Sequence, residues 1–191
     1  MISNTVTALR IALLLPFCAL LLGGVGPSAR WWALAVFLAA GLTDALDGFL
    51  ARRLGEVSAF GAMLDLIADR LLTAVTLGAL VAAGTLAGWS AFAALVLILR
   101  DLIVASLNEA LPGHLEIRVS ALERVKITMH FVAASLLIAP EFRRPPVNVS
   151  QHDIGAILLV VAALLALVTL ADYWRRALHA FAVQKVWRIY T

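Results

Sequence analysis

The stretch "DALDGFLARRLGEVSAFGAMLDLIAD", Asp44–Asp69, lies between two long apolar runs. It carries Asp44, Asp47, Asp65 and Asp69 where a bilayer-embedded segment should hold almost no charge. Asp44 and Asp47 are three residues apart, and Asp65 and Asp69 four apart, so on helices each pair shares a face. Two facing pairs make a compact carboxylate cluster. Left alone, such a cluster repels itself and is costly to desolvate. A divalent metal removes both problems, and oxygen donors without histidine or thiol favour Mg²⁺, Mn²⁺ or Ca²⁺ over zinc. The bland alternative, salt bridges to Arg52, Arg53 and Arg70, accounts less well for four carboxylates at helical spacing on adjacent segments.

The residues between the aspartates fit the same chemistry. Gly48 and Ala51 continue the face of Asp44 and Asp47, and Gly61 stands one turn before Asp65. Missing side-chain bulk lets a nucleotide or phosphate approach the backbone, although small residues also serve helix packing in membranes. Arg52, one turn beyond Gly48, offers a guanidinium fork to a diphosphate. Glycine, arginine and a carboxylate-bound metal together point to phosphoryl transfer.

Working outward, 63% of the 191 residues are hydrophobic, only 14% are charged, and the mean hydropathy is +0.98. A soluble domain is nearer half apolar and a quarter charged. The expectation is an all-α integral membrane protein, one domain over residues 1–191. Apolar runs at about 5–24, 31–51, 61–83, 88–108, 119–140 and 153–173 predict six transmembrane helices. An even number places both termini on one side. That side would hold Arg10, Arg52, Arg53, Arg118, Arg124, Lys126, Arg175, Arg176, Lys185 and Arg188, against Arg30, Arg143 and Arg144 on the other. The asymmetry puts both termini, and the aspartates, in the cytoplasm.

The net charge of +3 calls for no nucleic acid, because basic residues at span ends suit anionic lipid. The tail from about 174 to 191, "WRRALHAFAVQKVWRIYT", reads as an interfacial helix or as a stop signal with aromatic anchors. Cys18 is the single cysteine and forms no internal disulfide. The first apolar run has neither a basic segment before it nor a small-residue cleavage site after it, and reads as a retained span. Intramembrane acids also mark transporters. A transporter, however, places charge near the midplane and shows related halves, and neither feature is present here.

The pattern Asp44-x2-Asp47-Gly48-x2-Ala51-Arg52-x8-Gly61-x3-Asp65-x3-Asp69 resembles, without a gap, the signature of the CDP-alcohol phosphotransferase family. Asn4, Thr7 and Arg10 resemble its Asn-x2-Thr-x2-Arg opening. The resemblance implies a six-helix membrane fold, usually a homodimer, that transfers a substituted phosphoryl group from a CDP-linked donor to an alcohol and releases CMP. It implies that Asp44, Asp47, Asp65 and Asp69 hold two divalent metals, Mg²⁺ or Mn²⁺, on the donor diphosphate. Asp69 would also be the base that deprotonates the acceptor hydroxyl. Asn4, Thr7, Gly48, Ala51, Arg52 and Gly61 would belong to the CDP pocket. The implied location is the bacterial inner membrane, with the site facing the cytoplasm.

"LRDLIVASLNEAL" and "VSALERVKITMHF" resemble the branch that uses CDP-diacylglycerol as donor and glycerol 3-phosphate as acceptor. Arg70, Arg100, Arg124 and Lys126 would then hold the acceptor phosphate. Four such cations at one membrane edge would repel one another unless an anion filled them. Asn108 stands where that branch typically has arginine. "AGLTDALDGFLAR" and "LRD" also resemble a second branch, which forms cardiolipin with phosphatidylglycerol as acceptor. Elsewhere, His130 is expected to be a packed, hydrogen-bonded histidine, and Asp101 to orient Arg100. Trp31, Trp32 and Trp89 would form an outer aromatic belt.

Overall fold

A computed structural model describes the backbone of residues 2–54, 59–110, 121–142 and 149–190, and the side chains of 7–43, 61, 63–107, 122–142 and 149–178. Among the described residues there are six α-helices and no β-strand: α1 (Ile2–Cys18), α2 (Pro27–Leu54), α3 (Ala59–Ala82), α4 (Trp89–Ala110), α5 (Ala121–Ile138) and α6 (Gln151–Tyr190). Each covers one of the six apolar runs. Pro16 lies inside α1 and removes one amide from its ladder. Just beyond it the helix widens into a π-turn over Ala19–Gly23.

Helix ends follow local chemistry. α3 stops in a Schellman motif, with the Thr85 amide donating to Leu80 O at 3.0 Å and the Gly84 amide to Val81 O at 3.0 Å. Gly84 takes φ +72°, which a side chain would resist. α6 starts in a reciprocal cap: the Ser150 amide donates to Asp153 Oδ2 at 2.8 Å, and the Asp153 amide to Ser150 Oγ at 3.2 Å. No break separates the last apolar run from the tail, since α6 continues to Tyr190. The segment after Thr169 contains neither glycine nor proline to end a helix.

α6 packs along α5 and α4, α1 along α2 and α3, and α2 also meets α5. The core between them includes Phe17, Leu77, Leu80, Leu97, Leu137 and Leu159. Buried alanines on α5 (Ala133, Ala134) and α6 (Ala162, Ala163, Ala166) let those two helices approach closely. At Gly41 a Cβ would lie 2.5 Å from Phe131 Cε2, so the glycine sets how near α2 comes to α5. Phe131 in turn stacks on Phe37, with ring centroids 5.0 Å apart.

The outer surface is apolar. Leu15, Trp32, Leu102, Ile157, Leu164 and Val168 all point outward, the reverse of what water selects in a soluble bundle. Two helical stretches, Trp89–Leu107 and Gln151–Leu178, are long and apolar enough to cross a bilayer, and Thr7–Gly23 is a shorter apolar stretch. With that surface they mark a membrane protein. Trp31, Trp32 and Trp89 are all exposed. Trp31 and Trp32 stand near the start of α2 and Trp89 opens α4, at the same end of the bundle.

That end is clamped by Arg30. Its guanidinium donates to Leu137 O at 3.2 Å, near the end of α5, and to Thr85 Oγ1 at 2.7 Å, after α3. Arg30→Ala should therefore cost about 2 kcal/mol, the scale of a lost charge-assisted hydrogen bond. Thermal unfolding in detergent checks this. An unshifted midpoint would show that the clamp contributes nothing.

Candidate active site

The opposite end of the bundle opens into a cleft of about 510 Å³. Three helices bring charge to it, Asp65, Asp69 and Arg70 from α3, Arg100 and Asp101 from α4, and Glu123 and Lys126 from α5, and α6 adds Tyr173 as a polar aromatic wall. Apart from Thr73 and His130, the rest of the lining, such as Phe37, Leu97 and Phe131, is apolar. This distribution, a mostly apolar cleft with convergent polar groups, is typical of small-molecule sites.

On α3, Asp65 and Asp69 both line the cleft and both are exposed. Arg10 of α1, only 1% exposed, donates from Nη1 to Asp65 Oδ1 at 3.1 Å. Its ordered cation, buried at the helix contact, fixes the Asp65 carboxylate while leaving 57% of that side chain accessible. Thr7, one turn earlier on α1, is buried, and Gly61 is buried one turn before Asp65 on α3.

The backbone of Asp44, Asp47, Gly48, Ala51 and Arg52 is helical, in the last half of α2. Their side chains, like those of Asn4 and Asn108, lie outside the described residues. Among the described residues no group of three or more histidine, cysteine, aspartate or glutamate side chains forms a metal cage. Asp65 and Asp69 are two hard carboxylates at i, i+4 on an accessible wall, a donor set that suits a hard divalent cation.

Arg100 and Lys126 are not bare cations. Arg100 Nη1 donates to Asp101 Oδ1 at 2.9 Å, and Nη2 donates to Glu123 Oε2 at 2.8 Å and to Thr169 Oγ1 at 3.0 Å. Its guanidinium carbon lies 5.5 Å from the Tyr173 ring centroid. Lys126 Nζ reaches Asp101 Oδ1 at 3.3 Å and Glu123 Oε1 at 3.0 Å. Two cations and two carboxylates thus close a ring between α4 and α5, and α6 seals it. Arg100 is 4% exposed, where an unpaired guanidinium would be prohibitive. Asp101 contacts Arg100, as its position beside it suggested.

The expectation of four cations needing an outside anion changes accordingly. Arg100 and Lys126 are balanced from within the chain. Arg124 is exposed on α5 and does not line the cleft, because it sits two residues from Lys126 and so on another side of the helix. Of the four, Arg70 lines the cleft half-buried. His130 also departs from expectation: it lines the cleft, and its buried Nδ1 has no hydrogen-bond partner. Asp101 and Lys126 are the charged groups that act on its ring.

Glu123, Thr169 and Tyr173 were not foreseen as parts of this site. An acid three residues before Lys126 inside an apolar run was the available signal for Glu123. Thr169 and Tyr173 offered none, since a threonine or tyrosine in a span needs no partner to be tolerated.

The family model for CDP-alcohol phosphatidyltransferase matches residues 1–169. A CDP-diacylglycerol–glycerol-3-phosphate 3-phosphatidyltransferase of Shigella flexneri serotype 5b (strain 8401) is 33% identical over 175 residues, covering 90% of this chain and 92% of that protein. The protein of the same name from Escherichia coli (strain K12) shows the same identity and coverage. One from Cereibacter sphaeroides is 32% identical over 137 residues, covering 71% of this chain and 62% of that protein. With the aspartate signature on α2 and α3 and a charged cleft between helices, the chain belongs to the CDP-alcohol phosphatidyltransferase family and is a transferase.

Proposed function

We propose that this membrane enzyme transfers the phosphatidyl group of CDP-diacylglycerol to glycerol 3-phosphate and releases CMP. The observation that carries the reading is the cleft itself. Asp65, Asp69, Arg100 and Lys126 all line it, at one end of an apolar bundle. A lipid donor and a water-soluble phosphate meet at such a place. The named relatives, 33% identical over nine-tenths of the chain, support the same donor and acceptor.

In this reading Asp44, Asp47, Asp65 and Asp69 hold two divalent metals, Mg²⁺ or Mn²⁺. The family is generally divalent-metal dependent, and when bound the metals neutralise the donor diphosphate. Asn4, Thr7, Gly48, Ala51, Arg52 and Gly61 frame the cytidine diphosphate. Arg10 holds Asp65 in position from behind. Asp69 takes the proton from a glycerol 3-phosphate hydroxyl. That oxygen then attacks the phosphorus bearing the diacylglycerol. The new P–O bond forms as the bond to the CMP oxygen breaks, and CMP leaves with its electron pair. Arg70, Arg100 and Lys126 orient the acceptor phosphate, and Arg124 adds positive charge outside the cleft.

The wider arrangement is six spans in one domain, in the bacterial inner membrane, with both termini and the cleft facing the cytoplasm, working as a homodimer. One observation favours a second acceptor. The internal balance of Arg100 and Lys126 by Asp101 and Glu123, with Asn108 in place of a further arginine, suits an acceptor without a phosphomonoester, such as phosphatidylglycerol. Product analysis separates the two. Purified protein with CDP-diacylglycerol and Mg²⁺ should form phosphatidylglycerol phosphate from glycerol 3-phosphate. Cardiolipin from phosphatidylglycerol, with no use of glycerol 3-phosphate, overturns the first reading.

Chelation should abolish CMP release, and Mg²⁺ or Mn²⁺ should restore it; full turnover in EDTA would rule out the metal role. Asp69→Asn should lower kcat about 10²-fold or more, the usual scale for a lost general base, while donor binding changes little. Asp47→Asn should instead weaken metal and donor binding. Turnover of Asp69→Asn near the parent rate would dismiss Asp69 as the base. Lys126→Ala and Arg100→Ala should raise the acceptor KM by roughly 10- to 150-fold, from about 1.5–3 kcal/mol per charged contact, and leave the donor KM nearly unchanged. A donor KM that rises equally would place these residues outside the acceptor site.

A further inference from the structure

Arg100 and Lys126 both line the cleft as cations for an acceptor phosphate, yet both are already met by an anion of the chain. The Glu123 carboxylate bridges them, one oxygen 2.8 Å from Arg100 Nη2 and the other 3.0 Å from Lys126 Nζ. A phosphomonoester joining the same two cations would need that position. Building on the acceptor assignment above, we propose that Glu123 is a resident stand-in for the acceptor phosphate and a specificity-determining residue. Its carboxylate holds the cation pair in the empty site and is exchanged for the incoming phosphate.

Three features make Glu123 the exchangeable partner. First, both cations stay anchored without it. Asp101 keeps 2.9 Å and 3.3 Å contacts to Arg100 and Lys126, and Thr169 keeps Arg100 Nη2 at 3.0 Å. Asp101 adjoins Arg100 on α4, whereas Glu123 reaches across from the first turn of α5. Second, the site holds more donors than a carboxylate satisfies. The Arg100 Nε–H is a buried donor without a partner, and His130 Nδ1, also buried and unpartnered, can donate in its Nδ1–H tautomer. A phosphate presents three terminal oxygens where a carboxylate presents two, so an extra acceptor atom matches unused donors. Third, the charges select. With Glu123 in place the ring of Arg100, Lys126, Asp101 and Glu123 carries no net charge. With Glu123 displaced, the remaining three carry one positive charge, which a phosphomonoester meets and an uncharged hydroxyl compound does not. The exchange therefore discriminates against alcohols that lack an anion, a penalty built against the wrong partner rather than a contact added for the right one.

The test compares wild-type protein with Glu123→Gln in detergent, with Mg²⁺ and CDP-diacylglycerol. Glutamine keeps the shape and removes the competing charge. The KM for glycerol 3-phosphate should fall about tenfold or more, the equivalent of one charge-assisted contact. Inorganic phosphate should inhibit the variant at correspondingly lower concentration, competitively with the acceptor. The donor KM should not move. A merely structural Glu123 gives the opposite result, an acceptor KM that is unchanged or raised with no gain in phosphate sensitivity, and overturns the exchange. If Glu123→Gln yields no folded protein, Glu123→Asp is used. It keeps the charge but is too short to bridge both cations, so a lowered acceptor KM upholds the exchange and an equal or higher one overturns it. If wild-type protein makes no product from glycerol 3-phosphate, the functional reading fails. Phosphate-dependent thermal stabilisation then decides the exchange alone: a larger shift for Glu123→Gln than for wild type upholds it, and an equal or smaller shift overturns it.

Discussion

A guanidinium cannot be left bare inside an apolar bundle, and the arrangement of α4, α5 and α6 around the cleft follows from that constraint. Arg100 is 4% exposed and is never neutral. It takes Asp101 from its own helix, Glu123 from α5, and a hydroxyl and an aromatic face from α6. Removing both carboxylates without another anion to replace them would leave a buried charge uncompensated, which is far more costly than the pair is worth against an apolar replacement. Such a ring is thus poor evidence of stabilisation and good evidence of use. Conventional apolar packing, as at Leu97 one turn before Arg100, would have held the helices together with less risk.

The two ends of the bundle are held by different means. At the Arg30 end, a single cation binds a backbone carbonyl and a hydroxyl, both neutral, and the surroundings are exposed tryptophans. At the cleft end, Arg10, Arg100 and Lys126 each bind carboxylates. Neutral partners make a fixed strut. Charged partners make contacts that another charge can compete for, and all of them lie on or behind the cleft wall. Between the ends, the structure is leucine, phenylalanine and alanine, close-packed along α5 and α6.

The helices were legible from the apolar runs, because hydropathy and length set them before any tertiary contact forms. Asp65 and Asp69 share the cleft as i, i+4 spacing requires. What the sequence hid was pairing across helices. Arg10 and Asp65 are 55 positions apart, Arg100 and Glu123 23, and Arg100 and Thr169 69. Spacing rules operate within one helix, so charges were assigned as separate groups: carboxylates to metal and cations to phosphate. The fold mixes them. For the same reason Arg124 could not be told from Lys126, since only the rotation of α5 against its neighbours decides which of the two enters the cleft. The Asp44–Arg52 half of the signature remains a proposal drawn from its motif.

α6 runs for 40 residues, about 60 Å at 1.5 Å per residue, roughly twice the thickness of the hydrocarbon core. Thr169 and Tyr173 stand 18 and 22 residues beyond its first residue, so they fall about 27 and 33 Å along it. The helix therefore acts as a depth gauge. Capped by Ser150 and Asp153 at one end, it presents Thr169 and Tyr173 about one hydrocarbon-core thickness from that cap. Sliding that capped start by a single turn would shift Thr169 and Tyr173 by about 5 Å against Arg100, enough to break the 3.0 Å hydrogen bond and the ring contact that hold its guanidinium. The cap is remote from the cleft, yet it sets the register of the two α6 residues that hold Arg100.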